Sequence, residues 1–218
     1  MTTMSGEQRM RRVLELLEDH YGSDCGPPEE LRDPFRTLIG CVLSHRTREE
    51  SSSRAAANLF EAADDPDAII GMSPEELRGR IRCSGFYNQK ARNIRAICLE
   101  LNTRFEGRVP EDRGQLISLP GVGPKTADIV LSYAYGRPGI PVDVHVATVA
   151  KRLGLVGRRA SQEETREQLE ALCTPDRYGF LDHAFFKLGK EYCRTRGSRC
   201  GECPLDTVCD HQGLADDK

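Results

Sequence analysis

A lysine follows two glycines in the segment LPGVGPKTADIVL, which spans residues 119–131. Gly121 and Gly123 flank a valine, and Lys125 falls in the first turn of the helix that the following apolar residues predict. A phosphate-binding loop, a nucleophilic amine and an ordinary tight turn between packed helices all use such residues. A Walker-type loop needs four residues between its first glycine and a Gly-Lys pair. Here Pro124 precedes Lys125, so the segment does not predict nucleotide hydrolysis.

Four cysteines near the end of the sequence follow the spacing C-x6-C-x2-C-x5-C: Cys193, Cys200, Cys203 and Cys209. Their segment, CRTRGSRCGECPLDTVC, has almost no apolar residues and cannot be held together by burial alone. Cytosolic cysteines stay reduced or bind metal rather than pair as disulfides. Four thiolates suit either zinc or an iron–sulfur cluster. The spacing slightly favours the cluster, because zinc sites usually pair two short CxxC turns. Four unliganded cysteines are the remaining alternative.

The composition is that of a globular protein, with 38% hydrophobic and 30% charged residues in 218. No apolar run is long enough to span a membrane, and the polar start MTTMSGEQRM lacks the pattern of a secretory signal. We therefore expect a cytoplasmic protein without a membrane partner. The net charge is −3, but six basic residues and no acidic ones lie between Arg78 and Arg95. Five more basic residues lie between Lys187 and Arg199, so two basic segments stand apart from the acidic ones.

Apolar residues recur at helical spacing almost throughout, and no clear strand alternation is present. Ser73 with Glu76 and Ser161 with Glu164 match the capping-box pattern at helix starts. Gly136 and Pro138 should end the helix that carries Lys125. The pattern predicts an all-α fold in two helical lobes with a cleft between them. The expected helices cover residues 6–21, 33–44, 53–62, 73 onward, 87–105, 124–134, 161 onward and 178–192.

The cysteine tail lies downstream of LPGVGPKTA and VDVHV, and this combination resembles endonuclease III, an iron–sulfur DNA glycosylase of the helix-hairpin-helix superfamily. The segments TLIGCVLSHRT, GFYNQKA and CPLDTVC fall in the family's order, so the resemblance spans nearly the whole chain. The cysteine spacing and the 18-residue step from Lys125 to Asp143 are its specific features.

The resemblance implies two α-helical domains with a DNA groove between them. One would be a six-helix barrel with the helix-hairpin-helix, at residues 27–137. The other would be a discontinuous cluster domain, at residues 1–26 and 138–218. By the same resemblance the four cysteines hold a [4Fe–4S] cluster. We further expect a monomer, associated with the nucleoid if the source is prokaryotic.

On this interpretation the hairpin Gly121, Val122 and Gly123 binds DNA. The glycines permit positive φ and close approach of a strand, and exposed N–H groups at the helix start bind a phosphate oxygen. Such a hairpin positions the duplex without reading its sequence. Lys125, near the positive end of the helix dipole and partly desolvated, would be deprotonated and attack C1′ of a deoxyribose. A packing joint between helices is the alternative for the hairpin.

Asp143 precedes an apolar-periodic helix, so it is expected to cap that helix. A carboxylate near C1′ would also stabilise the positive charge that develops as the base leaves, and could assist proton transfer. His145 follows two residues later, but a single histidine is more often a packing residue, and we exclude it from the catalytic set.

A base inside a duplex has to be flipped out before an enzyme can reach it, and the gap has to be filled. Arg46 in LSHRT and Phe86 in SGFYN are the candidate wedges, with a core aromatic as the alternative for Phe86. The family commonly has glutamine at the position of Arg46, and arginine offers hydrogen-bond donors only. The cluster would hold a loop that presents Arg194, Arg196 and Arg199 to DNA phosphates.

The sequence thus predicts a DNA glycosylase with AP-lyase activity, which removes oxidised or ring-saturated pyrimidines from double-stranded DNA through a lysine Schiff base. Its partner would be duplex DNA with damaged bases or abasic sites. A monofunctional mismatch glycosylase is one alternative, although such relatives generally lack the lysine. A non-catalytic DNA-binding module with a structural metal is the other.

Overall fold

The computed structural model describes residues 4–27 and 29–211, and all regular structure in them is helical. Residues 1–3, 28 and 212–218 of the predicted domains lie outside the described part. Contacts divide the chain into two compact units, residues 28–136 and residues 1–27 with 137–218. The prediction of an all-α fold is confirmed. No helix in the described part is long and apolar enough to cross a membrane.

The unit at residues 28–136 contains seven α-helices within its described residues. They are α2 Pro34–Ser44, α3 Glu49–Phe60, α4 Pro66–Gly71, α5 Pro74–Arg80, α6 Tyr87–Phe105, α7 Arg113–Ile117 and α8 Pro124–Ile129. A π-helical turn, Val130–Ala134, continues α8. The core includes the apolar face predicted for α6, of which Ile94, Ile97 and Leu101 are fully buried.

The second unit contains α1 Gly6–Tyr21, α9 Val144–Arg152, α10 Gln162–Leu172 and α11 Tyr178–Glu191. Met10, Leu17 and Phe185 are among its largest buried side chains. Helices α9 and α11 pack closely, because Gly189 has no side chain: a Cβ there would lie 2.7 Å from Cβ of His145. This packing fixes α9, the helix whose N-cap is Asp143.

Local sequence signals account for most helix starts. Asp33 accepts a hydrogen bond from the N–H of Arg36, and Ser161 and Glu164 form the predicted capping box. Ser73 caps α5 as predicted, but the Glu76 carboxylate lies 3.5 Å from Arg80 Nη2, so the predicted reciprocal contact gives way to an i,i+4 ion pair. Helix α3 begins four residues earlier than predicted, at Glu49, where two acidic residues favour the first turn.

Candidate functional site

The segment with two glycines joins α7 to α8 as a tight hairpin. Gly121 has φ +77°, in the left-handed region that favours glycine, and its Cα packs against Asn93 of α6. An added Cβ at Gly121 would collide with the Asn93 side chain. Glycine is therefore required here both by backbone conformation and by close packing.

Gly123 differs from the prediction that both glycines would use positive φ. It is the N-cap of α8 with φ −102° and ψ 174°, a conformation open to any residue, and no atom lies within 4 Å of a Cβ built there. The Val122 side chain between the glycines is buried in the core, and its N–H donates to the carbonyl of Leu119 at 3.1 Å. Because no atom lies close to a Cβ built at Gly123, the space in front of the hairpin is open at that residue.

Lys125 is the second residue of α8, and its side chain is exposed. The sequence suggests partial desolvation of Lys125 within the protein, whereas the residue is exposed in the structure. Burial raises the pKa of Cys41 to about 12, and the positive charge of Lys125 opposes that rise. Cys41 lines a cavity of about 900 Å³ in the same unit, together with Ser44, Glu49 and Tyr133.

An ion pair holds α8 against α7. Arg113 donates from Nε and Nη2 to the two carboxylate oxygens of Asp128, at 2.7 and 3.2 Å. The Asp128 side chain is mostly buried and lies one turn beyond Lys125. A bidentate pair of this kind fixes orientation as well as distance. The ion pair therefore links α7, which precedes the hairpin, to α8, which follows it and carries Lys125.

Asp143 is the N-cap of α9, as predicted. Its Oδ1 accepts hydrogen bonds from the N–H groups of His145 and Val146, at 2.8 and 2.9 Å. The residue is only 7% exposed, whereas Val144 beside it is 58% exposed. His145 stacks edge-on against Phe186, with ring centroids 5.6 Å apart. This contact agrees with a packing role for that histidine.

The two predicted wedge residues share an unusual backbone conformation. Arg46 has φ 50° and Phe86 has φ 57°, and left-handed conformations are uncommon for residues with side chains of this size. Arg46 is exposed, and Phe86 is 64% exposed. The alternative of a core aromatic at position 86 is therefore wrong. Both side chains project from strained loops of the same unit.

The four cysteines of the tail line one small cavity, together with Arg152, Tyr192, Asp206 and His211. Burial, with a smaller contribution from the neighbouring cysteines, raises the pKa of Cys203 and of Cys209 to about 11, and a backbone hydrogen bond to each opposes the rise. Four thiolates placed together need a cation, so the donor set suits a metal centre. Within the described residues, however, no group of three or more His, Cys, Asp or Glu side chains is arranged to hold a metal ion.

The basic loop beside these cysteines is exposed at Arg194, Arg196 and Arg199. Arg199 forms a two-contact ion pair with Glu202, so its guanidinium already has an anionic partner. Buried Arg152, on α9, donates from Nη1 to the carbonyl of Arg194 and to Ser198 Oγ, at 2.7 and 2.9 Å. The helix capped by Asp143 is thereby linked to the loop that follows Cys193.

Two buried basic residues escaped the sequence analysis: Arg152, which braces the cysteine loop, and Lys90 on α6. Lys90 lies in the motif GFYNQKA, where we assigned a role only to the phenylalanine. Its Nζ has four oxygen neighbours within hydrogen-bond distance. The acceptors are two backbone carbonyls and two side-chain hydroxyls, and these give no recognisable sequence signal.

Residues 39–175 match the family described as HhH-GPD superfamily base excision DNA repair protein. The match covers more than half of the chain. The chain therefore belongs to this superfamily of base excision DNA repair proteins.

Similar proteins of known name indicate which family within this superfamily the chain belongs to. Endonuclease III of Thermotoga maritima is 40% identical over 178 residues, which cover 82% of this chain and 83% of the relative. Endonuclease III of Bacillus subtilis is 34% identical over 211 residues, with 95% of each chain covered. The Escherichia coli enzyme of that name is 34% identical over 205 residues, covering 93% of this chain and 97% of its own. Within the superfamily, the chain belongs to the endonuclease III family.

Solved structures agree with this assignment. A non-covalent endonuclease III–DNA complex superposes with TM-score 0.87 at 34% identity, over the full length of both chains. A trapped endonuclease III–DNA covalent intermediate gives TM-score 0.86 at 34% identity, over 99% of this chain and all of the other. A thermostable thymine-DNA glycosylase gives TM-score 0.80 at 21% identity, covering 93% of this chain and 96% of its own, and so shares the fold.

Proposed function

We propose that this chain is a base-excision-repair DNA glycosylase with AP-lyase activity, and that it removes oxidised or ring-saturated pyrimidines from duplex DNA. One observation carries the proposal. In a member of the endonuclease III family, an exposed lysine stands at the second position of the helix that follows an open glycine hairpin. The trapped covalent intermediate of a relative supports the expectation of a covalent enzyme–DNA step.

Lys125 is the proposed nucleophile. Its Nζ attacks C1′ of the damaged nucleotide, the glycosidic bond breaks, and the base leaves with the bonding electrons. The C1′–O4′ bond then breaks, O4′ takes up a proton, and the ring-opened Schiff base forms. This Schiff base makes a C2′ proton acidic, and loss of that proton expels the 3′ phosphate. Nucleophilic attack requires the unprotonated amine, which a desolvated environment favours. We infer that bound DNA supplies the desolvation that the free protein lacks at this position.

Asp143 is the proposed electrostatic partner in this reaction. As the base leaves, positive charge develops on the sugar, and a nearby carboxylate lowers the energy of that transition state. The cap hydrogen bonds to Oδ1 fix the orientation of the carboxyl group. Lys125 and Asp143 belong to different units of the chain, so their joint action on one sugar is part of the proposal.

Binding and extrusion of the nucleotide would use the rest of the predicted site. The hairpin from Gly121 to Gly123 would receive a strand phosphate in the open space before Gly123. Arg46 and Phe86 would fill the gap left by the extruded base. Arg194, Arg196 and Arg199 would contact phosphates.

The four tail cysteines are the proposed ligands of a [4Fe–4S] cluster, as the resemblance implies. When bound, the cluster would supply a charged cross-link that ties the tail into a fixed loop. The chain's own part is to gather the four sulfur atoms around one cavity and to brace the loop through Arg152. We further propose that residues 27–137 form the six-helix barrel domain, with residues 1–26 and 138–218 forming the cluster domain.

Activity on a defined lesion tests the proposal against a monofunctional mismatch glycosylase. Purified protein is incubated with one duplex that carries thymine glycol and another that carries a G·T mismatch. We expect release of thymine glycol together with strand cleavage, in the absence of added base or heat. Excision that leaves the strand intact until alkali is added would support the monofunctional alternative. Binding without release of any base would support a non-catalytic module.

A further inference from the structure

Lys90 is a buried cation that the proposed chemistry does not use. It lies on α6 and is only 5% exposed. Its Nζ is 2.6 Å from the carbonyl oxygen of Leu43 and 2.7 Å from that of His45. The hydroxyl oxygens of Thr47 and Ser84 lie 2.8 and 2.9 Å away. Every one of these neighbours is an uncharged oxygen, so the ammonium group replaces its water shell with four acceptors from the protein.

Three of these acceptors belong to the two loops that carry Arg46 and Phe86, and the fourth, the carbonyl of Leu43, lies in the last turn of α2 just before the first loop. The loops also contact each other directly: the N–H of Gly85 donates to Thr47 Oγ1 at 3.0 Å, and Ser84 Oγ donates to the carbonyl of Leu43 at 2.9 Å. A Cβ at Gly85 would lie 3.0 Å from the Arg46 carbonyl oxygen, so the backbones touch where the wedge residues begin. One ammonium group therefore joins both loops.

Fold stability alone gives little reason for a lysine at this position. Burying a charge among neutral acceptors is costly, and an apolar side chain on the inner face of α6 would avoid that cost. Burial lowers the pKa of Lys90 to about 8, so the ammonium form still predominates at neutral pH. The loops that it joins hold two non-glycine residues in the left-handed conformation, a strain that surrounding contacts have to maintain.

We propose that Lys90 is a positioning residue that locks residues 43–47 and 84–86 into one rigid wedge, so that Arg46 and Phe86 enter the duplex at a fixed separation. Lys90 touches neither DNA nor the reacting atoms, and it acts through the two loops. This inference rests on the proposed function, because it assumes that the loops extrude a damaged nucleotide.

The Lys90→Met variant tests the inference, since methionine keeps the apolar stem and removes the donors. Single-turnover excision of thymine glycol is compared with cleavage at a preformed abasic site, where no base has to be extruded. We expect excision to fall about ten- to a hundred-fold, the range for misplaced groups remote from the chemistry. Cleavage at the abasic site should fall much less. The fluorescence of 2-aminopurine beside the lesion should lose the increase that follows wedge insertion.

Two further variants make the outcome decisive. Arg104→Met removes one positive charge from the same helix, at an exposed ion pair with Glu100, and should leave all three measurements unchanged. Thr47→Val removes the hydroxyl that accepts from both Lys90 and Gly85. If Lys90→Met does not fold, the same excision and fluorescence measurements on Thr47→Val test the inference. Excision and fluorescence equal to wild type in the folded variant would overturn the inference. If wild-type protein cleaves neither substrate, the proposed function itself fails.

Discussion

The Asp143 carboxylate combines a structural task with a proposed chemical one. Its Oδ1 accepts two backbone hydrogen bonds at the start of α9, which any good N-cap would do. The proposed chemistry also requires the negative charge of the carboxylate, whereas capping requires only an oxygen that accepts hydrogen bonds. Substitution can therefore separate the two roles, because asparagine retains a capping oxygen and loses the charge.

We expect Asp143→Asn to fold with nearly wild-type stability while base excision falls about a hundred-fold, the usual effect of removing one preorganised electrostatic group. Asp143→Ala should lose the cap too, and its free energy of unfolding should drop by about 1 kcal/mol. Single-turnover excision and chemical denaturation measure the two effects. Wild-type excision by the asparagine variant would show that the charge is not used.

His183 on α11 predicts how stability depends on pH. Burial lowers the pKa of His183 from its ordinary value of 6.5, and the positive charge of Lys187 lowers it further. As the pH falls below 6.5, the unfolded chain takes up a proton that the folded chain still excludes, so the free energy of unfolding decreases. Chemical denaturation at pH 7.5, 6.5 and 5.5 should show a shallower decrease for His183→Gln. Equal slopes for the two proteins would contradict this assignment.

Individual residues were predictable from sequence where a local rule governs them. Asp143 was expected as a helix cap because capping depends on a few adjacent residues. The exposure of Lys125 was not predictable, because it depends on packing between distant segments. Lys90 was missed for the same reason: the carbonyls that accept from it belong to the end of α2 and the loop after it, more than forty residues earlier in the chain.

At the scale of elements, the α7–α8 hairpin contains two glycines with different tasks. Gly121 needs glycine for its left-handed backbone and its contact with Asn93, whereas Gly123 has an ordinary backbone and open space in front of it. The first glycine therefore serves the fold. We assign the second to the approach of a DNA strand.

Alanine at each position distinguishes these tasks. Gly121→Ala should lower the free energy of unfolding by about 1 to 3 kcal/mol, the cost of a left-handed non-glycine residue, with the Asn93 collision added. Gly123→Ala should cost only about 0.5 kcal/mol, as a poorer N-cap, while weakening duplex binding several-fold. Thermal melting and fluorescence anisotropy report the two quantities. Unchanged binding by a folded Gly123→Ala protein would exclude the proposed phosphate contact.

The helices themselves were predictable where a cap and an apolar stripe agree. The bounds of α1 and α6 match the predicted ranges, since each has a continuous buried face. Helix α3 was placed too late because its first turn is polar and presents no apolar pattern. The π-helical turn after α8 was not predicted, because it depends on hydrogen bonding rather than on residue spacing.

At the scale of the whole molecule, the sequence resemblance gave the family, and the comparisons confirmed it over nearly the full length of the chain. Domain assignment and cluster binding stay predictions. The tail has few apolar residues, so its order has to come from the residues that gather its cysteines. Leu205 is the apolar residue of this segment that is fully buried.

Metal content tests the assignment of the tail. Purified protein should be yellow-brown, with visible absorbance and about four iron atoms per chain. Cys200→Ser should lose most of the iron and the absorbance. Cys83→Ser, at a half-buried cysteine outside the tail, should keep both. Colourless protein that carries zinc would overturn the cluster assignment.

The central claim is that the Lys125 amine forms the covalent bond to DNA. Borohydride reduction during reaction with a duplex that contains an abasic site should trap a protein–DNA adduct. Peptide mapping should place the modified lysine at position 125. Lys125→Gln should give neither adduct nor strand cleavage, while Lys151→Gln should give both. Strand cleavage that persists in Lys125→Gln, or an adduct mapped to another residue, would contradict the account.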